Sequence, residues 1–266
     1  MKDLFSEMAV LLRYRSLLWV MVRRELAARY AGSAAGMAWA FAQPLLTVAA
    51  YYLVFDVVFA MRLGSNAPTD HMGTFLIVGS LPWLAFCEGL SRGTNSLVEA
   101  GGVLQKNALP PVLFVARSVL ASWLVFAPLM VLMTLLYLPV SGLGWAIAAI
   151  PALLLLQGVL EFLLAYLLAI LTAALRDTAQ VLGFVLSVGI FLSPVLFPLN
   201  LFPEAWRWVL FANPMSALVL AYQSVLLKGA WPDGPMWLIG LAWLLVMALL
   251  LNVLIRRSRD ELVDWL

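Results

Sequence analysis

Six stretches of the chain are long and apolar enough to form membrane-spanning helices. A helix needs about 20 predominantly apolar residues to cross the hydrocarbon core of a bilayer. The uncharged stretch between Arg117 and Glu161 is too long for one span, and its centre carries the turn formers Pro139 and Gly142. We therefore predict six spans, with a tight hairpin between the third and the fourth. Their approximate positions are 34–61, 72–95, 110–137, 145–173, 178–197 and 236–255.

The composition agrees with this pattern and excludes a water-soluble globular protein. Hydrophobic residues make up 64% of the 266 positions and charged residues only 11%, with a mean hydropathy of +1.00. Soluble domains are about 45–50% apolar and about 25% charged. The single Cys87 and the single His71 exclude an internal disulfide and a cysteine- or histidine-rich metal site. We expect one all-α polytopic membrane domain over residues 1–266, without catalytic residues, metal or cofactor of its own.

The basic residues predict that both termini lie in the cytoplasm. With that orientation the outer side keeps only Arg62, Arg207 and Lys228, as the positive-inside rule requires. The inner side then holds Lys2, Arg13, Arg15, Arg23, Arg24, Arg29, Lys106, Arg176, Arg256, Arg257 and Arg259.

The segment 204–227 must begin and end on the outer side if the fifth and sixth spans are to alternate. It is rich in Trp, Phe, Leu and Val, and Asn213-Pro214 divides it into two pieces that are each too short to span. We predict two short re-entrant helices that dip into the outer leaflet, where protein or a cavity shields the backbone ends. A helix lying on the outer surface is the alternative.

Residues 1–30 are predicted to form a cytoplasmic interface helix followed by a basic stretch. Leu4, Met8, Leu11 and Leu12 share one helical face, while charged residues occupy the others. Such an amphipathic helix lies in the plane of the membrane surface.

Five charged residues fall inside predicted spans, where charge is costly and points to function. Asp56 lies near the outer end of the first span and is interpreted as interfacial, whereas the other four lie within the spans. Glu88 and Arg92 are four residues apart and can pair on one helix face. Arg117 lies near the cytoplasmic end of its span, where it can extend towards water. Glu161 lies about halfway along the fourth span, so it either pairs with Arg117 or Arg92 or lines a wet path.

Aromatic residues concentrate in the outer half of the predicted spans. Interfacial aromatic belts explain most of the 11 Trp, 14 Phe and seven Tyr residues. As a hypothesis, this outer group forms a channel lining whose ring faces stack on sugars and guide a glycan. Its members are Tyr51, Tyr52, Phe55, Phe59, Trp83, Phe86, Trp206 and Phe211.

The sequence lacks a phosphate-binding P-loop. Such a loop needs a lysine directly after a glycine, and none of the three lysines, Lys2, Lys106 and Lys228, follows one. Any ATP that the protein uses must therefore be hydrolysed by another polypeptide. The loop 99–107 between the second and third spans carries charges and amides with which it can contact such a motor subunit.

Several short motifs follow in order along nearly the whole chain. The most specific is Arg29-Tyr30-x-x-Ser33-x-x-Gly36-x-x-Trp39-x-x-x-x-Pro44 at the start of the first span. The others are Lys106 before the prolines that open the third span, Arg176-Asp177, Ser193-Pro194-Val195, and Asn213-Pro214 followed by Tyr222. Together these motifs resemble those of type-2 ABC exporter permeases, especially exporters of O-antigen, capsular polysaccharide or teichoic acid.

The resemblance implies a homodimer bound to two ABC ATPase subunits, which would hold the ATP and Mg, in a bacterial inner membrane. Residues 99–107 would form the coupling helix that docks into the ATPase, through Glu99, Gln105, Lys106 and Asn107. An undecaprenyl-diphosphate-linked glycan, as needed for lipopolysaccharide or capsule, would approach near Arg24, Arg29 and Tyr30, because cations suit a diphosphate. No nucleic-acid partner is expected.

Two departures from the family pattern concern the substrate more than the fold. Gln223 follows Tyr222 where many relatives carry an arginine nearby, and Pro110-Pro111 replaces a common Phe-Pro. One alternative function is therefore a related permease for a drug or small amphiphile. A second alternative is a membrane-embedded polyprenyl-glycan transferase, which would need clustered acids. The sequence offers for this only Asp260, Glu261 and Asp264, whose spacing resembles a solvated helix end.

Overall fold

The apolar runs of the sequence fold into helices, as the pattern predicts. The computed structural model describes residues 2–64, 67–107, 109–138, 144–258 and 261–266, and its only β-pairing within these ranges is an isolated bridge. The predicted hairpin turn at 139–143 lies outside the described residues. The helices are α1 (Lys2–Arg13), α2 (Arg15–Arg29), α3 (Ala38–Tyr52, continued by a π-helical turn at Leu53–Val58), α4 (Met72–Glu99), α5 (Gly101–Leu104), α6 (Val112–Tyr137), α7 (Ala149–Ala174), α8 (Asp177–Gly189), α9 (Arg207–Phe211), α10 (Pro214–Lys228), α11 (Gly234–Ser258) and α12 (Leu262–Trp265).

Five of the described helices are long and apolar enough to cross a membrane, and they match five of the six predicted spans. These are Ala38–Val58, Met72–Glu99, Val112–Tyr137, Trp145–Ala174 and Gly234–Ser258. The remaining predicted span, 178–197, is helical only as α8, whose 13 residues extend about 20 Å against a hydrocarbon core of about 30 Å. The chain then continues in turns, because Pro194 and Pro198 cannot extend a helix.

The segment predicted to be re-entrant is a sharply bent helix pair. Glu204–Phe211 and Pro214–Lys228 meet at 106° across the break at Asn213, whose side-chain oxygen accepts a hydrogen bond of 3.0 Å from the Met215 N–H. This bond caps α10, with Pro214 at its first turn. Together with the five long helices, the pair gives up to six membrane crossings if it is counted as one broken span.

The centre of the bundle is α4, which packs against α3, α6, α7 and α10. Within its most apolar stretch 72% of the residues are buried, against 6% for α3. Helix α10 is also interior, with an unbroken buried run from Met215 to Leu226. The helix α3 therefore presents most of its surface to lipid or to a partner, while α4 is covered by its own chain.

The helices α1, α2, α5 and α12 lie together at one end of the bundle, which we call the basic end. Helix α1 is attached there by its backbone and by one side chain. The Leu4 N–H donates to Asn252 Oδ1 of α11 at 3.2 Å, and the Tyr166 hydroxyl of α7 donates to Glu7 Oε2 at 3.3 Å. Leu4 is buried against the core, whereas Leu12 is exposed. The first residues are thus helical, and α1 is joined at Tyr14 to a second helix that the sequence analysis treats only as a basic stretch. The location of α1 at the membrane surface stays a prediction.

A glycine turn links α2 to α3 within the motif that begins at Arg29. Gly32 and Gly36 have φ angles of +80° and +52°, a region that residues with a Cβ adopt at a cost. After this turn, the end of α2 and the first turns of α3 border one common cavity, where the candidate site lies.

Candidate functional site

Arg29, at the end of α2, is buried between α2 and α6. Its side chain is 4% exposed and donates from Nε to Glu25 Oε1 at 3.3 Å, one turn earlier on the same helix. Its Nη1 donates to Ser122 Oγ at 3.2 Å, and its Nη2 donates to the Ser118 carbonyl oxygen at 3.1 Å. A buried guanidinium requires partners of this kind. Arg29 therefore connects the C-terminal end of α2 to α6.

Alternating charges extend from Arg29 in both directions and form what we call the charge ladder: Arg117, Glu25, Arg29, Glu88 and Arg92. Glu25 Oε2 lies 3.6 Å from Arg117 Nε. Glu88 Oε1 lies 3.8 Å from Arg29 Nη1 and accepts a hydrogen bond of 2.9 Å from Arg92 Nε. The ladder joins α2, α4 and α6. It contains three guanidiniums and two carboxylates, so these five side chains carry an excess positive charge.

A polar cavity of about 340 Å³ opens beside the ladder, between the end of α2 and helices α3, α4 and α6. Arg29 and Arg92 line it as cations and Glu88 lines it as the anion. Because the Arg92 side chain is 45% exposed and the Arg29 side chain only 4%, Arg92 is the more accessible cation. Uncharged polar side chains add to this lining, among them Gln43, Thr47, Ser91 and Ser122.

A second cavity, of about 540 Å³, has an almost entirely apolar wall. It lies between α8 and the helices α4, α7 and α11. Trp83 and Phe86 of α4 line one side of it, with their ring centroids 6.0 Å apart. Trp243 of α11 also borders it and donates its indole N–H to the Phe211 carbonyl oxygen at 3.1 Å.

The aromatic residues predicted to line a channel fall in three places. Tyr51 and Tyr52 end α3, Phe55 lies in its π-helical turn and Phe59 follows that turn; Tyr52 and Phe59 are exposed.

The other two groups of aromatic residues, on α4 and around α9, differ in how far they are buried. Trp83 and Phe86 are buried, at 4% and 3% exposure, and face the apolar cavity. Trp206 is exposed and stacks on Trp208 at a centroid distance of 6.5 Å, whereas Phe211 at the end of α9 is half-buried. A sugar-stacking role for the whole group stays a prediction, and the burial of Trp83 and Phe86 favours hydrocarbon rather than sugar as their contact.

Glu161 differs from the other intramembrane charges because no basic residue pairs with it in the described part of the chain. The expectation that Arg92 or Arg117 pairs with it is wrong, since those residues bind Glu88 and Glu25 instead. Glu161 is fully buried on α7. Neither carboxyl oxygen accepts a hydrogen bond of good geometry from the described residues, although the Trp123 side chain of α6 lies close to this carboxyl. It also does not border the polar cavity.

The Glu161 carboxyl packs against the bare backbone of α4 at Gly89, in the space that a Cβ on that residue would take. Four residues further along each helix, Gly93 faces Ala165 in the same way. The two glycines therefore allow the close approach of α4 and α7 that small residues provide between membrane helices.

The residues predicted to contact an ATPase are all exposed at the basic end. Glu99 ends α4, and Gln105, Lys106 and Asn107 follow α5, which is a single helical turn. Arg24 is also exposed and does not line the polar cavity, unlike Arg29 and Tyr30. The structure thus brings together two of the three residues predicted to meet the diphosphate.

Several residues of the site escaped the sequence analysis, although the sequence carries signals for them. Glu25 precedes Arg29 by four positions, which is the spacing of a helical ion pair. Gln43 and Thr47 are polar residues in an otherwise apolar span and share one helix face. Ser122 carries no such signal, because its contact with Arg29 joins residues 93 positions apart.

Helices long and apolar enough to span a bilayer, packed around a cavity with charged residues, are typical of membrane transport proteins. The family model of the ABC-2 type transporter matches residues 16–227, and the chain belongs to this family.

Curated relatives agree with the family assignment. The O-antigen export system permease protein RfbA of Myxococcus xanthus is 31% identical over 228 residues, which cover 84% of this chain and 85% of the relative. A protein of the same name from Klebsiella pneumoniae is 24% identical, covering 80% and 81%. The polysialic acid transport protein KpsM of Escherichia coli is 22% identical, covering 90% and 91%.

Proposed function

We propose that the chain is the membrane-spanning subunit of an ATP-driven exporter. The exporter moves an undecaprenyl-diphosphate-linked polysaccharide from the cytoplasmic side across the bacterial inner membrane. The names of the relatives, which cover most of the chain, support a polysaccharide such as O-antigen or capsule. The observation that carries the proposal at the level of the site is the polar cavity beside the charge ladder.

The chemistry of this cavity suits the head group of an anionic lipid. A diphosphate presents several oxygen acceptors, and guanidinium groups are well matched to such oxygens in geometry and charge. Arg29 and Arg92 line the cavity against the single carboxylate of Glu88, so an anion meets net positive charge there. The cavity lies between helices of the bundle, where the hydrocarbon tail of a bound lipid can remain in the bilayer.

The two arginines of the cavity have different roles in this proposal. Arg29 already donates to Glu25, Ser122 and the Ser118 carbonyl, so it supplies mainly a fixed positive field. Arg92 has one carboxylate partner and an exposed side chain, so it is the residue that reaches the phosphate. Arg24, which is exposed and outside the cavity, attracts the head group to the membrane surface at most.

For the rest of the assembly, the proposal uses the resemblance to the family as support. Two copies of the chain would face each other, with two ABC ATPase subunits carrying ATP and Mg below the basic end. The poorly covered surface of α3 leaves room for the second copy. In this arrangement both termini are cytoplasmic, α1 and α2 lie at the inner membrane surface, and the bent pair α9–α10 re-enters the outer leaflet. Residues 99–107 act as the coupling helix.

The apolar cavity favours one second candidate, which is export of a small amphiphile or drug. Its wall of Trp83, Phe86 and Trp243 offers contact area to an uncharged hydrophobic molecule. A membrane-embedded transferase has less support: Glu261 and Asp264 are exposed, Asp260 lies outside the described residues, and the described residues hold no group of acids, His and Cys with metal-binding geometry.

ATPase stimulation separates the two transport candidates. The permease is purified with its ABC ATPase, reconstituted in vesicles, and supplied with undecaprenyl-diphosphate-linked glycan or with undecaprenol, which lacks the diphosphate. We expect the glycolipid to stimulate ATP hydrolysis and undecaprenol to leave it unchanged. Stimulation by uncharged amphiphiles, without any response to the glycolipid, would contradict the proposal and favour the second candidate.

A further inference from the structure

The segment that follows α11 at the basic end packs directly beneath α5. A Cβ placed on Gly101, the first residue of α5, would lie 3.1 Å from the Leu266 carbonyl oxygen and 3.4 Å from the Leu266 Cβ. The segment Glu261–Leu266, which we call the distal segment, is itself held by the bundle. Leu262 is buried, Trp265 and Leu266 pack against the main core, and α12 rests on α7.

Helix α5 has two sides with opposite surroundings. Ala100, Gly101 and Leu104 are buried on the inner side. The other side, with Gly102 and Val103, is exposed and continues into Gln105, Lys106 and Asn107. One side of this helical turn therefore rests on the protein, and the other is open to a partner.

A helix of one turn needs such support. Four residues form too few backbone hydrogen bonds to hold a helix rigid, because nucleation is unfavourable and each further bond adds little. A force applied to the exposed side of an unsupported turn would unwind it rather than move the bundle. The contact of Gly101 with Leu266 supplies support from below.

From these contacts we infer that the distal segment supports α5 from the inner side. We also infer that it transmits the motion of the ATPase from α5 to the helix bundle. A push on α5 then reaches α7 through Leu266 and α12, in addition to the direct chain connections to α4 and α6. The partner is an ABC ATPase subunit, which contacts the exposed side of α5. This inference rests on the coupling role of residues 99–107 in the proposed function.

Two adjacent glycines provide a matched test. Gly101→Ala adds a methyl group against Leu266, whereas Gly102→Ala adds one into open space, with no atom within 4 Å. Both changes raise helix propensity equally. A second pair of variants changes the distal segment instead of α5. Leu262→Ala with Trp265→Ala removes the side chains that pack this segment against the bundle. Its control, Glu261→Ala with Asp264→Ala, changes only exposed side chains of the same segment.

Two measurements are made. The first is amide hydrogen exchange of residues 101–107 in the permease alone. The second is the affinity of the permease for the ABC ATPase, together with the rate of ATP hydrolysis by the reconstituted complex. In the Leu262/Trp265 variant we expect exchange about tenfold faster and ATPase binding about tenfold weaker, since lost core contacts release α5. Gly101→Ala should change both readouts in the same direction as the Leu262/Trp265 variant, and the Glu261/Asp264 control should match the wild type in both. Gly102 lies on the side of α5 that meets the ATPase, so Gly102→Ala is compared in hydrogen exchange of the permease alone, where exchange should be no faster than in the wild type.

The outcomes are distinguishable. Unchanged exchange and unchanged ATPase coupling in a folded Leu262/Trp265 variant would overturn the inference while leaving the proposed function intact. If that variant does not fold, hydrogen exchange of Gly101→Ala and Gly102→Ala in the permease alone decides, because identical exchange in the two would also overturn the inference. A wild-type permease that binds no ABC ATPase would instead contradict the proposed function. Hydrogen exchange of residues 101–107 would still test whether the distal segment supports α5.

Discussion

Arg92 is the accessible cation of the polar cavity, and its contribution to substrate binding can be isolated. In Arg92→Gln, Glu88 keeps Arg29 as a neighbour at 3.8 Å, so no carboxylate is left without a cation. We expect the half-saturating concentration of the glycolipid to rise about tenfold or more, because a charge-assisted hydrogen bond contributes about 1.5–3 kcal/mol. The measurement is substrate-stimulated ATP hydrolysis in vesicles.

Arg24→Gln is the control for this substitution, because Arg24 is exposed and lies outside the cavity. It removes the same charge from the same end of the bundle. Equal losses of affinity in the two variants would contradict a specific role of Arg92 and would indicate a general attraction between the basic end and anionic lipid.

Glycine is required at position 89 because the Glu161 carboxyl leaves no room for a Cβ, not because the backbone turns there. Gly89→Ala places a methyl group where the Glu161 carboxyl lies, so we expect a destabilisation of about 1–3 kcal/mol from overpacking between α4 and α7. The melting temperature of the purified permease measures this loss.

The control is Gly183→Ala on the exposed face of α8, where an added Cβ meets no atom within 4 Å. That change should stabilise the helix by about 1 kcal/mol. The double variant Gly89→Ala with Glu161→Ala should recover most of the lost stability, because the collision is removed. Equal melting temperatures for the two glycine variants would refute the close contact.

Local spacing made part of this site predictable at the residue scale. The pair Glu88–Arg92 follows from a separation of four positions on one helix, and the structure joins these residues at 2.9 Å. The partners of Arg29 on α6 are 89 and 93 positions away, and no local pattern encodes them. Glu161 was recognised as unusual, but its neighbour Gly89 emerges only when α4 and α7 are packed.

At the scale of elements, hydropathy and turn residues predicted the long helices well. The bounds of α4, α6 and α11 differ from the predicted spans by four residues or fewer at each end. The apolar side chains of the stretch 178–197 predict a full span, but Pro194 and Pro198 end regular helix there. Hydropathy describes only the polarity of the side chains. The length of a helix also depends on backbone hydrogen bonds, which proline cannot donate.

The exposed end of α5 carries a prediction about assembly. Lys106→Glu reverses a charge at the surface expected to meet the ATPase, and we expect less ATPase to co-purify with the permease, because like or unpaired charges at an interface oppose binding. Lys228→Glu, at the end of α10, makes the same change away from α5 and should leave co-purification unaltered. An unchanged yield of ATPase with Lys106→Glu would argue against the coupling assignment.

At the scale of the whole molecule, the sequence could not distinguish interior helices from peripheral ones. Lipid tails are as apolar as a protein core, so a helix facing lipid and a helix facing protein have similar compositions. The structure surrounds α4 and α10 with their own chain and leaves α3 and α8 largely uncovered. This arrangement puts the polar cavity next to α3, beside the surface that a second copy would meet.

The location of lipid-linked glycan in cells depleted of this protein tests the central claim most directly. Lipid-linked polymer should accumulate on the cytoplasmic side of the inner membrane while the surface polysaccharide disappears, because synthesis continues and export stops. Restoring the wild-type chain should reverse both changes, and the Arg92→Gln variant should reverse them only in part. An intact surface polysaccharide without any internal accumulation would contradict the account.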